Sequence, residues 1–142
     1  MSKRFVSVLI VVAILLVACP TANATAGARA SNYLTSYSVR LTRGSNSGEL
    51  LLSYLVSTSA SGITRLGILS IFVYRTDGSL AKTIIGTTSN GLIQASSAAV
   101  NSTYSFTCEP GTAYYCNVTF IAENASGSDV RDRTTNTVVA PL

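Results

Sequence analysis

The chain has no histidine and no tryptophan, one methionine, three prolines and three cysteines, and only 11% of its 142 residues are charged. Each shortage excludes something. Without histidine neither a Ser-His-Asp triad nor a Cys-His pair can be assembled. Two nearby thiols, Cys108 and Cys116, with no acidic cluster beside them are too few ligands for zinc. The six acids are Glu49, Asp77, Glu109, Glu123, Asp129 and Asp132. Carboxylate chemistry of the glycosidase kind needs two of them facing each other at a fixed separation. Asp77 and Glu109 read as turn residues, and Glu49 and Glu123 as strand ends. Asp129 and Asp132, three apart, fall on opposite faces of a strand, so the acids read as solvated loop charges. The stretch SGSDVRD holds too few oxygens for calcium. GTTSNG lacks the lysine of a phosphate loop. The expectation is a chain that is not an enzyme and has no cofactor and no metal.

Long runs of positive charge are missing too. The net charge is +4, but Lys3 and Arg4 stand in the N-terminal leader, and the other eight cations are scattered among six acids. No cluster suits a phosphate backbone, so nucleic acid is not an expected partner.

What is present begins with that leader, MSKRFVSVLIVVAILLVA. Its apolar stretch, residues 5–18, is shorter than the ~20 residues of a bilayer span and follows a basic pair, as in a secretory signal. The next residues, LVACPTANATA, admit two processing events. Leu16-Val17-Ala18-Cys19 fits the bacterial lipobox pattern, which makes Cys19 a candidate lipidation site on a cell-surface lipoprotein. Ala22-Asn23-Ala24 is a small-x-small cleavage site, with Pro20 breaking the leader helix ahead of it. The second reading is adopted: signal peptide 1–24, flexible tether 25–32, folded domain 33–142, secreted. Membrane contact is then expected only through the leader or a Cys19 lipid. Export also favours a disulfide between Cys108 and Cys116, worth roughly 2.5 kcal/mol for so short a loop.

Beyond residue 32 the chain is Ser-, Thr-, Val-, Leu- and Tyr-rich, and strands alternate with turn signals about every ten residues. Strands are expected at 37–43, 49–59, 67–75, 79–88, 102–108, 113–123 and 130–140, with 92–101 unassigned. Asp77-Gly78 is the strongest hairpin signal. The pattern predicts an all-β, seven-stranded antiparallel sandwich. Parity aligns Cys108 with Tyr104 and Phe106, and Cys116 with Val118 and Phe120, so both thiols face the core. Tyr115 faces outward. It is the candidate surface-binding residue, with Tyr33 and Tyr74 the other tyrosines that exposure would bring into play.

Two resemblances add to this reading. PGTAYYCNVTFIAENASGSDVRDRTTNTVVA, residues 110–140, resembles the second half of a fibronectin type III domain, on the strength of Pro110, Gly111, Thr112, Tyr114, Ala122, Asn124, Gly127 and Ser128. The resemblance implies a fibronectin type III or immunoglobulin-like sandwich in which Tyr114 is the corner tyrosine, its hydroxyl bonded to backbone a few residues upstream. From RASNYL to ENASGSD the chain is also similar to a group of small secreted proteins of Firmicutes, which implies a bacterial source and names no activity. The functional expectation is a non-catalytic secreted or cell-envelope module that acts through its surface on an extracellular protein or glycan. The alternatives are a carbohydrate-binding module using exposed tyrosines and a lipid-anchored surface protein.

Overall fold

The computed structural model describes residues 33–142; the expected signal peptide and tether, and Cys19, lie outside the described residues. Nine strands follow one another: β1 (Leu34–Arg43), β2 (Glu49–Thr58), β3 (Ile63–Arg75), β4 (Leu80–Ile85), β5 (Ile93–Gln94), β6 (Ala99–Thr107), β7 (Ala113–Asn124), β8 (Gly127–Thr134) and β9 (Val138–Val139). They form two antiparallel sheets packed as a sandwich. The smaller sheet has the order β1-β2-β6. The larger runs β4-β3-β7-β8, with β5 also on β3 and β9 also on β7.

Alternation decides which side chains meet. Leu50, Leu52, Tyr54 and Val56 of β2 point inward, as do Val100 and Phe106 of β6. From the other sheet come Leu66, Ile68, Ile71 and Val73 of β3, facing Ala122, Phe120, Val118 and Cys116 of β7 across the ladder. Most of these are fully buried, and each large apolar side chain removed from water contributes about 1.5–3 kcal/mol. Truncating Phe120 to alanine, at the centre, would cost about 3–5 kcal/mol.

The structure departs from strict alternation in β3. Ile68 pairs with Phe120 but Ser70 pairs with Thr119, so Leu69 is an extra residue. The bulge resets the phase: Leu66 and Ile68 face inward before it, Ile71 and Val73 after it. This is why residues 67–75 read as apolar on both faces. β3 also starts four residues earlier than expected, at Ile63. The unassigned stretch 92–101 divides into the two-residue β5 and the start of β6, and the expected last strand breaks into β8 and β9. Nine strands thus replace seven. At Asp77-Gly78 the hairpin forms, with Gly78 at φ +85° and Asp77 Oδ1 accepting from both the N–H and the hydroxyl of Ser79. Gly67 is needed for a different reason: a Cβ there would collide with the Leu92 carbonyl of the chain entering β5.

One flank of the sandwich is closed by side chains. Leu34 N–H of β1 donates to Asp129 Oδ2 at 3.3 Å. Asn136, in the break between β8 and β9, accepts from Leu41 N–H at 3.0 Å and donates to Leu41 O at 2.9 Å, as a paired strand would. Between these clamps Tyr37 lies against Phe120, ring centroids 5.8 Å apart, with the Arg133 guanidinium 4.7 Å above its ring. On the opposite flank, between β4 and β6, Lys82 Nζ donates to Thr107 O at 2.9 Å.

Candidate functional site

The two outer faces differ in chemistry. On the smaller sheet the outward positions are mainly hydroxyls and amides: Ser36, Ser38 and Arg40 on β1, Ser53 and Ser57 on β2, Asn101, Thr103 and Ser105 on β6. Ser53 and Thr103 share a 3.1 Å hydrogen bond, and Leu51, Leu55 and Ala99 are the apolar residues among them. A shallow depression of about 260 Å³ lies here, lined by Ser38, Arg40, Ser53, Leu55 and Asn101 among others.

The larger sheet mixes exposed apolar and aromatic side chains with polar ones, and Ile93 and Ile121 of its outer positions are buried. Register places Leu80, Tyr74 and Tyr115 in one cross-strand row, and Thr83, Phe72, Asn117 and Thr134 in the next. Ile85, Ser70, Thr119 and Asp132 follow, then Ile93, Gly67, Ile121 and Val130. Leu80 is 51% exposed, Ile85 57% and Val130 41%. Tyr74 and Tyr115 are half-buried and stack on each other, centroids 5.5 Å apart and planes 19° apart. The stack holds both rings in place, a contact worth about 0.5–1.5 kcal/mol beyond area. It also covers one face of each ring, so neither offers two open faces to a flat ligand. Tyr33, the third tyrosine considered, is half-buried and packs against the core.

Tyr114, the next residue, points the other way. It is 1% exposed, and its hydroxyl accepts the N–H of Glu109, five residues upstream, at 3.2 Å. This bond spans the turn from β6 to β7, in which Gly111 takes φ +76°.

Cys108 and Cys116 flank the same turn. Cys116 is fully buried opposite Val73 and exchanges hydrogen bonds with Thr135: its N–H donates to Thr135 Oγ1, and its carbonyl accepts the Thr135 N–H. Burial, and then the neighbouring Cys108 thiol, push its own thiol up to about 12. Cys108 is half-buried and its thiol is also raised by burial, partly offset by Lys82 and Arg75. Both are free thiols here, so the expected disulfide is not formed in this structure. Burial raises the pKa of both thiols, which lowers the fraction present as thiolate, the form that attacks an oxidant.

The acids are occupied by the fold. Glu49 accepts from Ser105 Oγ and from the N–H groups of Ser45 and Asn46, contacts that hold its carboxyl below the usual carboxylate range. Asp77 is lowered likewise by Ser79. Glu123 pairs with Arg65 at 3.2 Å and Glu109 with Arg75 at 3.9 Å. Asp132, on the outer side, accepts from the Thr119 hydroxyl at 2.7 Å. Asp129 corrects the reading of the acids as solvated loop charges: it lies in β8, is 8% exposed, and pairs with Arg131 at 3.1 Å. Its burial follows from its inward position opposite Ala122. Among the described residues no three His, Cys, Asp or Glu side chains gather to hold a metal ion.

Sequence reasoning missed Asp129 and Asn136 as clamps, and Tyr74 as the partner of Tyr115. Parity could place Tyr74 and Tyr115 outward. Only the β3–β7 register, set by the bulge at Leu69, shows that they are neighbours.

No protein-family model matches the chain, and no curated protein does. Among solved structures, the beta-glucuronidase of Parabacteroides merdae, crystallised with glycerol in its active site, is similar over 71% of this chain. The TM-score is 0.39 and the identity 13%, and this chain spans 13% of that enzyme's length.

Proposed function

We propose that this protein is a secreted or cell-envelope, non-catalytic interaction module of fibronectin type III or immunoglobulin-like type. The single observation that carries the reading is the outer face of the larger sheet. Phe72 and the Tyr74–Tyr115 stack lie there beside exposed Leu80, while the other outer face is mostly hydroxyls. Exposed apolar and aromatic groups gathered on one face are the usual mark of a contact surface. The finer fold reading draws support from the β1-β2-β6 sheet facing a β4-β3-β7-β8 ladder, and from buried Tyr114 bonding back to Glu109 N–H. The non-catalytic reading draws support from the acids, each held by a hydrogen bond or ion pair that serves the fold.

The partner is an extracellular protein. A glycan is the second reading, motivated by the same tyrosines, but mutual stacking of Tyr74 and Tyr115 leaves less open ring for a sugar. Binding of the purified domain to cell-envelope protein fractions and to a glycan array tests both. Loss of protein binding in Tyr115→Ala and Phe72→Ala, with binding retained in Ser53→Ala on the other sheet, is the expected result. Glycan binding that disappears with Tyr115→Ala would replace the protein reading. Equal binding by all variants would remove the site altogether.

Processing and redox state are part of the proposal. The mature chain begins at Thr25, and outside the cell Cys108 and Cys116 close to a disulfide once an oxidant is supplied. Intact mass of the native protein reads both at once. A diacylglyceryl mass on Cys19 would show the lipoprotein reading instead.

A further inference from the structure

Open sheets have edges, and an edge strand offers unpaired N–H and C=O groups to any strand that meets it. Three of the four long edges here carry devices against such pairing. β1 contains Arg40 and Arg43, has a register shift between Leu34 and Ser36, and has backbone groups taken by Asp129 and Asn136. β4 is six residues long, has a register shift opposite Val73 and Tyr74, and turns the Lys82 charge toward the core side at its rim. β8 carries Asp129, Arg131, Asp132 and Arg133 within eight residues.

β6 has neither charges nor a register shift, and side chains take backbone groups only at its two ends. AVNSTYSFT is nine residues long with no charge and no proline, and it pairs with β2 from Glu49↔Thr107 to Ser57↔Ala99 without a register shift. The direction of its backbone groups follows from its two ends. Cys108 N–H donates to Gly48 O and Ala98 O accepts from Thr58 N–H, so even-numbered residues address β2. Odd-numbered residues therefore address the open side. Lys82 Nζ reaches Thr107 O from that side, and the Ser97 hydroxyl caps Ala99 O. Asn101, Thr103 and Ser105 remain between those caps.

We propose that β6 pairs with β6 of a second copy of this chain, antiparallel and two-fold symmetric about Thr103. The occupant is argued from self-complementarity. A two-fold at Thr103 sets Thr103 opposite Thr103 and Asn101 opposite Ser105 on the outer side, so hydroxyls and amides meet. On the inner side it sets Ser102 opposite Tyr104 and Val100 opposite Phe106. Odd residues meet odd and even meet even, so the inner and outer faces of both copies stay in phase, and no charge of β6 meets another. The three open residues of each copy supply both groups of three facing pairs. That makes about six backbone bonds, within the range of specific interfaces. The joined sheet runs β1-β2-β6 and then the same strands in reverse, and it leaves the apolar face of the larger sheet free. The inference therefore stands or falls independently of the partner read for that face.

Sedimentation of the purified domain across a concentration series tests it. The expected result is a monomer–dimer equilibrium whose dissociation constant rises more than about tenfold in Thr103→Lys. Thr103→Pro is expected to do the same while keeping the monomer fold, since its missing N–H faces away from β2. Facing residues of a hydrogen-bonded antiparallel pair lie about 5.5 Å apart at Cα, within disulfide reach. With oxidised glutathione, Thr103→Cys is thus expected to cross-link into a dimer, while wild type and Ser38→Cys on the same sheet do not. Monomer at every concentration would overturn the proposal. So would a dimer indifferent to Thr103→Lys and Thr103→Pro, or Ser38→Cys cross-linking as fast as Thr103→Cys.

Discussion

The two flanks of the sandwich solve the same problem unequally. On one, β1 is held to β8 and the β8–β9 break by Asp129, Asn136, and the Tyr37 ring between Phe120 and Arg133. On the other, the flexible Lys82 side chain makes one bond across the gap to Thr107. The closed flank bonds backbone through two short side chains, the buried Asp129 and the exposed Asn136, which lose little freedom when they do so. The open flank uses a long exposed one, whose ordering entropy offsets most of what its hydrogen bond contributes. The lesson is that sheet-to-sheet attachment here is concentrated on one side, which leaves the other side's strand edges available.

Breaking the closed flank should have the largest effect. Asp129→Ala removes the acceptor of Leu34 N–H and the partner of Arg131, and is expected to cost about 2–3 kcal/mol in urea unfolding, since Arg131 is partly relieved by solvent. Asn136→Ala loses two bonds to Leu41, about 2 kcal/mol by the same measurement. Either variant losing under half a kilocalorie would mean that the clamps are incidental.

Cys116, tied to Thr135 beside Asn136, gives a pH-dependent version of the comparison. Its thiol is raised from 9.0 to about 12 by burial, so the folded state holds its proton more tightly than the unfolded chain. The stability is fully present below pH 9 and is lost as pH rises toward 12. The slope should approach about 1.4 kcal/mol per pH unit there. Urea midpoints of the reduced protein at pH 8 to 10 read this directly, and Cys116→Ala should flatten the fall.

Tyr114→Phe removes the acceptor of Glu109 N–H at the β6–β7 turn and is expected to cost about 1–2 kcal/mol, read from the thermal midpoint. Smallest of all, Lys82→Ala on the open flank should change stability by less than about 0.5 kcal/mol. An effect there as large as that of Asn136→Ala would show that the two flanks are equivalent after all.

Fold class was legible because its signals are local. Turn residues at regular spacing and period-two alternation in β2, β6 and β7 identify strands and their inner faces without knowing their neighbours. Asn136 was not legible, because its partner Leu41 lies 95 residues away and nothing in TTNTV marks an amide that will act as a strand. The bulge at Leu69 was hidden for a related reason: it appears in the sequence only as an apolar run, and its meaning depends on which residue of β7 each position faces. For the candidate site, alternation alone can place Tyr115 outward beside an inward Tyr114, whereas the Tyr74 contact needs the cross-strand register. The thiols show the limit of compartment arguments. Spacing and the expected export favour a bond, while the burial that raises both thiols depends on which residues pack around them and is not legible in the sequence.

The absence of tryptophan gives the Tyr74–Tyr115 stack an optical consequence. Intrinsic near-ultraviolet emission is dominated by seven tyrosines, unobscured by a brighter indole. Two phenols held 5.5 Å apart and nearly parallel couple their transitions, so this pair should add a signed circular-dichroism band to the tyrosine spectrum. Because the stack lies on the outer face of the larger sheet, a molecule that parts or tilts the rings would change that band without any label. The protein carries a chromophore pair at the very surface whose occupancy is in question.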